Sequence, residues 1–213
     1  MNSSLIRKAF KGITIKKLIF TVIGVLLSGV EISFNARAGL GNDPVGMLYD
    51  GLRAFLGLTQ EQLSVATNLI NIGLIVFVFF AGRHYVNIGT VICLVVYGFG
   101  VDLGSLLYEA FFPEQMTMML RILAVVIGCL FLYTGLGMEI ASDIGIDATS
   151  GFIMVVRDRM HWQYHTAKVV CDILSVVIGF LLGGKLGVVT VICAVINGPM
   201  IQLFTKLFQK IIG

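Results

Sequence analysis

The sequence predicts an all-α polytopic membrane protein built from two internally duplicated halves, with six long transmembrane helices and two short re-entrant or interfacial helices. Three observations carry this prediction. Of 213 residues, 57% are hydrophobic and only 13% charged, with a mean hydropathy of +0.96, far more apolar surface than a soluble domain can hide. Long uncharged runs recur at the length a bilayer demands, about 20 residues per span. Finally, short blocks of the first half reappear in order in the second.

The first element follows a basic segment, residues 1–16. Arg7, Lys8, Lys11, Lys16 and Lys17 place five of the fifteen basic residues within the first seventeen positions. The net charge of +3 therefore reports orientation rather than an acidic partner. A helix is expected over about 17–36. Ala36-Arg37-Ala38 fits a small-x-small cleavage pattern, but a leader cut there would carry Glu31 and Arg37 beside the cut. Its apolar run also has a counterpart later in the chain, so it is read as a retained helix.

Gly39-Leu40-Gly41-Asn42-Asp43-Pro44 breaks that helix. Asp43 stands as an N-cap and Pro44 at the first helical position, where a missing N–H costs nothing. A short segment, about 44–57, follows and contains Asp50 and Arg53. Long helices are expected over 63–82 and 86–110, completing a first repeat within 17–112. The second repeat, 113–213, starts with a helix at 119–140 and a second cap, Asp147 before Ala148 and Thr149. A short segment at 148–160 holding Arg157, Asp158 and Arg159 comes next, then helices at 166–184 and 186–208. The short segments cannot cross a core of about 30 Å as straight helices, and their charges would be expensive at its centre. Six spans are therefore favoured over the alternative of eight. With the N-terminus inside, six spans put eleven Lys and Arg inside and four outside (Arg37, Arg53, Arg121, Lys185), and eight spans put twelve inside and three outside; both counts place both termini in the cytoplasm.

The repeat is read from three blocks. Thr90-Val91-Ile92-Cys93 returns as Thr190-Val191-Ile192-Cys193, with eight identities in the eighteen positions from 90 and 190. Gly29-Val30-Glu31-Ile32 answers Gly137-Met138-Glu139-Ile140, and Leu40-Gly41-Asn42-Asp43 answers Ile144-Gly145-Ile146-Asp147. Six spans make the halves inverted, an architecture common among secondary transporters.

Paired interrupted helices at matching places are the best pointer to a transporter site. Asp43, Pro44, Asp147 and Thr149 mark helix starts whose N–H groups and dipole suit a polar or anionic ligand, unless the aspartates already occupy those donors. Tyr97-Gly98-Phe99-Gly100 and Asn197-Gly198-Pro199 are a second matched pair, at which Tyr97 and Asn197 could line a polar cavity; packing through small residues is the plain alternative. Asn68 matches Asp172 in the duplicated helices. Proton coupling would fall to carboxylates within spans: Asp102 and Asp172, which lie deeper, or Glu31 and Glu139, which lie toward helix ends where an ion pair with Arg37 competes.

No cofactor and no metal site is expected. The four cysteines stand unpaired in apolar runs, and His161 and His165 flank Trp162 as an interfacial belt without a third ligand. No phosphate-binding loop, serine elbow or His-Glu-x-x-His pattern occurs, so an enzyme is not expected. No room remains for a domain that binds nucleic acid. The expected partners are membrane lipids and a small polar or anionic solute, and a homo-oligomer stays open. A second class is an accessory membrane protein supporting a cytoplasmic biosynthetic or regulatory system.

Gly39-Leu40-Gly41-Asn42-Asp43-Pro44 with Gly51, joined to Leu186-Gly187-Val188-Val189-Thr190 and Asn197-Gly198-Pro199-Met200-Ile201-Gln202-Leu203-Phe204, resembles the bacterial YczE/YyaS/YitT membrane-protein family over about residues 17–208. That resemblance implies a small permease-like protein of the bacterial cytoplasmic membrane, in a family largely without assigned substrates. The family's later motif reads Gly-x-Gly-Thr, and Val189 replaces its second glycine here.

Overall fold

The computed structural model describes residues 14–86, 88–113, 115–144 and 147–212. Most of the basic N-terminal segment, and Gly145 and Ile146 of the third repeated block, lie outside these residues. Among the described residues all regular structure is helical: α1 (Ile15–Ala38), α2 (Pro44–Phe55), α3 (Leu63–Ala81), α4 (Ile88–Phe111), α5 (Met118–Ser142), α6 (Ala148–Met160), α7 (Tyr164–Leu181) and α8 (Val188–Ile212), with 3-10 turns at Gln60–Gln62 and Arg83–Tyr85. Six of these, all but α2 and α6, are long and apolar enough to cross a membrane. The chain is a multi-pass integral membrane protein.

The centre of the fold is α1, whose apolar window is 61% buried against 17–39% for the other five spans. It touches α4 on one side and α5 on the other, and small residues allow both approaches. A Cβ on Gly24 would lie 2.6 Å from Gly135 O of α5, and one on Gly29 would lie 2.6 Å from Tyr97 O of α4. With lipid tails as apolar as leucine, such close backbone packing is what holds membrane helices together. Interhelical hydroxyl bonds add to it: Ser33 Oγ donates to Val101 O at 2.6 Å, and Thr21 and Ser142 share a hydrogen bond of 2.7 Å.

These contacts also fix the direction of every helix. Lys16 Nζ donates to Ile211 O at 2.5 Å and Phe20 meets Phe208 edge-on at 6.0 Å, so the start of α1 and the end of α8 share one face, the terminal face. Down α1, Gly29 meets Gly100, Val30 meets Gly104 and Arg37 pairs with Glu109 at 2.7 Å, so α4 runs parallel to α1. Thr21 against Ser142 and Asn35 against Gly128 make α5 antiparallel. The end of α3 is on the terminal face, where Arg159 Nη2 reaches Ala81 O at 3.4 Å. Since α1 ends and α3 begins on the opposite, far face, α2 enters and leaves there. Likewise α6 enters and leaves on the terminal face, because α7 ends at the far face, where Lys185 N donates to Asp50 Oδ2 at 3.4 Å. The order long, short, long, long thus occurs twice, from opposite faces, and the six-span arrangement holds.

Both short helices start inside the protein. After Gly39, whose φ of 70° closes α1 in the left-handed region, the chain folds back: Asn42 Nδ2 donates to Ile32 O at 3.2 Å, and Leu40 O accepts from Val189 N at 3.2 Å. Buried inside the protein, the first N–H groups of α2 have no acceptor within their own helix and need one from elsewhere in the chain. Asp43 supplies it, accepting from Gly46 N at 2.8 Å and Val45 N at 3.4 Å. Asp147 does the same for α6, accepting from Thr149 N and Ser150 N at 3.1 Å.

The charges of the short helices are neutralised near the two faces. Arg53 Nε pairs with Asp50 Oδ1 at 2.8 Å on the far side. On the terminal side Arg157 pairs with Asp158 at 2.7 Å, and the Tyr85 hydroxyl donates to the same carboxyl. The Tyr85 bond and the Arg157 guanidinium hold Asp158 below the usual carboxylate range.

Two outcomes are expected. In a background without native cysteines, Arg83→Cys reacts with an impermeant maleimide from the side that carries a C-terminal tag, and Thr59→Cys from the other; reactivity of position 83 opposite the tag would require eight spans. Asp147→Ala lowers stability by about 1 kcal/mol, as cap removal does, whereas Asp147→Asn, which still caps, loses a few tenths; unfolding in detergent micelles separates the two.

Candidate functional site

The starts of α2 and α6 converge on one cavity of about 480 Å³. Asp43, Val45 and Tyr49 come from α2 and its cap, and Asp147, Thr149 and Ser150 from α6 and its cap; α4 gives Cys93 and Tyr97, α5 Glu139, and α8 Asn197 and Gly198. Each short helix is placed by a close crossing. Gly179 of α7 sits against the α2 backbone, where its Cβ would be 2.6 Å from Met47 O. On α6, Val155 lies against Gly82 at the end of α3.

The cavity opens toward the terminal face between α7 and α8, past Tyr164, His165, Lys206 and Gln209. Its other end holds Tyr49, whose hydroxyl donates to Asn71 Oδ1 at 2.8 Å and whose ring meets Tyr97 edge-on at 6.2 Å. In the wall, Tyr133 Oη donates to Asn197 Oδ1 at 3.1 Å. Glu139 is 3% exposed. Its Oε1 faces Cys93 Sγ at 3.7 Å, the Asp147 backbone N–H is directed at the carboxyl, and Oε2 is buried with no side-chain partner. A polar atom left so in a low-dielectric interior is costly and invites a ligand or a proton.

Of the residues singled out in the sequence, Asp43, Asp147, Thr149, Tyr97, Asn197 and Glu139 thus meet around a single space. Pro44 and Asp172 lie instead on a second, mostly apolar cleft between α7 and α8, with Val169, Ile173 and Thr190. Asp172 is committed there to Lys168 at 3.0 Å. Asn68 packs against Gly98 at the α3–α4 contact. Glu31 is fully buried and accepts a hydrogen bond from Asn35, while Arg37 pairs with Glu109; the expected Glu31–Arg37 partnership is not formed. Asp102, expected deep and near the cavity, lies on the outer side of α4 among exposed Phe99, Leu103 and Leu106. The order of enclosure is thus opposite to the order of depth expected along the helices, for a physical reason. The re-entrant turns fold back over the ends of α1 and α5, so residues near helix ends become the most enclosed.

Sequence reasoning left out Tyr49 and Lys168, assigned Tyr164 with Trp162 to an interfacial belt, and did not use Cys93. Only Cys93 carried a signal, as the last residue of the repeated Thr-Val-Ile-Cys block. Among the described residues no group of three or more His, Cys, Asp or Glu is arranged to hold a metal ion.

The helix starts are not vacant donors. The side chains of Asp43 and Asp147 already take the first N–H groups of α2 and α6, so the polar character offered to the cavity is that of carboxylates, hydroxyls and amides. The halves are also unequal around it. Asn68 fills the space beside Gly98, where a Cβ would collide with its amide, whereas nothing lies within 4 Å of a Cβ on Gly198. Correspondingly α3 packs on α4, while α7 and α8 barely approach one another.

No curated protein and no solved structure matches the chain. One family does, over residues 15–206, described as a family of unknown function (DUF6198). With most of its length matched, from the first turn of α1 to the last turns of α8, the chain belongs to that family.

Proposed function

We propose that this protein is a permease rather than an enzyme, carrying a small polar solute in the cavity between two inverted repeats. The observation that carries this reading is the inequality at Gly98 and Gly198. Two segments of like sequence hold opposite states: α4 is closed on α3 through Asn68, and α8 stands away from α7 with the cavity between them. If the halves exchange these states, α8 closes on Asp172, the position matching Asn68, and α4 parts from α3. The cavity then opens to the far face past Asp102, which matches Gln202 at the present mouth. An inverted repeat makes the two states near mirror equivalents, of similar energy.

Several features support the same reading. The cavity is bounded by re-entrant helix starts, irregular backbone that membranes tolerate only where it is enclosed or lines a polar space. Glu31 and Glu139 occupy matching places, the first sealed from the present cavity and the second open to it, as a coupling pair would. The resemblance to the YczE/YyaS/YitT proteins supports a location in the bacterial cytoplasmic membrane, and the excess of Lys and Arg on the terminal face supports an orientation with both termini in the cytoplasm.

Thiol accessibility tests the exchange. With native cysteines removed, Gln202→Cys reacts with an impermeant reagent added on the terminal side. Asp102→Cys reacts, more slowly, with reagent added on the far side, because lipid shields it until α4 parts from α3. Reaction at 202 with none at 102 over hours would leave a one-sided chamber and favour an accessory protein without transport.

A further inference from the structure

We propose that the cavity is a binding site for a small organic ammonium ion, a substrate class that rests on the permease reading and narrows it. Glu139 provides the anchor: 3% exposed, lining the cavity, with Oε2 buried and without a side-chain partner. Asp43 and Asp147 line the same space. Asp43 uses both oxygens toward its own helix start and Asp147 uses Oδ2, but each still contributes negative charge to the cavity.

The cations nearby do not offset that charge at depth. Lys168 is held by both oxygens of Asp172, at 3.0 and 3.2 Å. Lys206 and His165 are exposed at the mouth on the terminal side. An anion entering the cavity would therefore meet carboxylates where a helix start alone would have offered bare N–H groups. A cation meets one carboxylate oxygen with a free lone pair and two more carboxylates behind it.

The remaining surface selects an organic cation over an inorganic one. Leu132, Leu136 and Ile140 make one side apolar, and the aromatic residues Tyr49, Tyr97 and Tyr164 line the same space, side chains of the kind to which ammonium groups are drawn. A hard metal ion needs six or so oxygen ligands gathered around a point, and no such group of acidic residues exists among the described residues. The cavity volume of about 480 Å³ suits a cation with several carbon atoms, within the usual range for small-molecule sites.

A matched series isolates charge from size: n-butylammonium, butyrate and n-butanol, titrated into the purified full-length protein in detergent at pH 7 with binding read by calorimetry. Butylammonium is expected to bind saturably and at least tenfold more tightly than the other two. Glu139→Gln is expected to weaken it tenfold or more, and Glu109→Gln, on the far face beside Arg37, to leave it unchanged. If Glu139→Gln fails to fold, Asp147→Asn serves instead, since it keeps the cap while removing charge, and is expected to weaken binding about threefold. Equal or tighter binding of butyrate or butanol, binding of none of the three, or loss-free binding by both cavity variants would overturn the proposal. Binding in detergent requires no change of state. Ammonium binding without far-side reactivity at position 102 therefore refutes the permease and keeps the site, and the reverse result refutes only the substrate class.

Discussion

In a membrane protein's interior a backbone N–H without an acceptor is too costly to keep, and this protein begins two helices inside its own fold. Everything at its centre follows from the way that difficulty is met. Asp43 and Asp147 turn their carboxylates onto the first N–H groups of α2 and α6, which lets the chain fold back and start a helix at depth. Because both aspartates answer the same need from opposite faces, the two starts meet, and the space between them becomes polar. The same residues that make re-entry affordable thus make the cavity acidic.

The second constraint is the weak drive for helices to associate in lipid. Here association depends on backbone approach at glycine, most clearly where α1 crosses α5 at Gly24 and Gly135 and α4 at Gly29 and Gly100. Those crossings make α1 a fixed spine. The outer contacts, α3 on α4 and α7 beside α8, are of a different kind, with one closed and one open. A rigid centre with unequal flanks is a shape that can change state without repacking its core, which is why the function is sought at Gly98 and Gly198 and not at the spine.

The charged residues sort by the same logic. Several near the faces are paired: Arg37 with Glu109, Arg53 with Asp50, Arg157 with Asp158. Lys168 and Asp172 neutralise each other beside the α7–α8 cleft. Among the described residues Glu139 alone combines enclosure, an oxygen without a side-chain partner and a place on the cavity wall. Asp102 is the counter-case, a charge among lipid-facing side chains in the state seen here, whose position makes sense if α4 later borders water.

Hydropathy alone determined the class of the protein and, within a few residues, the limits of the six long helices, because the length of an apolar run answers directly to the thickness of a bilayer; six spans against eight stayed open in the sequence. Local pattern also determined the caps: Asp43 before Pro44, and Asp147 before Ala148, are where helices of their kind begin. The relative depth of the carboxylates was not legible. Glu31 and Glu139 read as helix-end residues and Asp102 as a central one, since distance along a helix is all that a linear chain displays. Only the tertiary fold decided that the chain turns back over the ends of α1 and α5, and that one face of α4 looks outward. Nor could sequence show that Gly98 is filled by Asn68 while Gly198 faces open space, because the two segments are alike in residues and differ only in what stands against them.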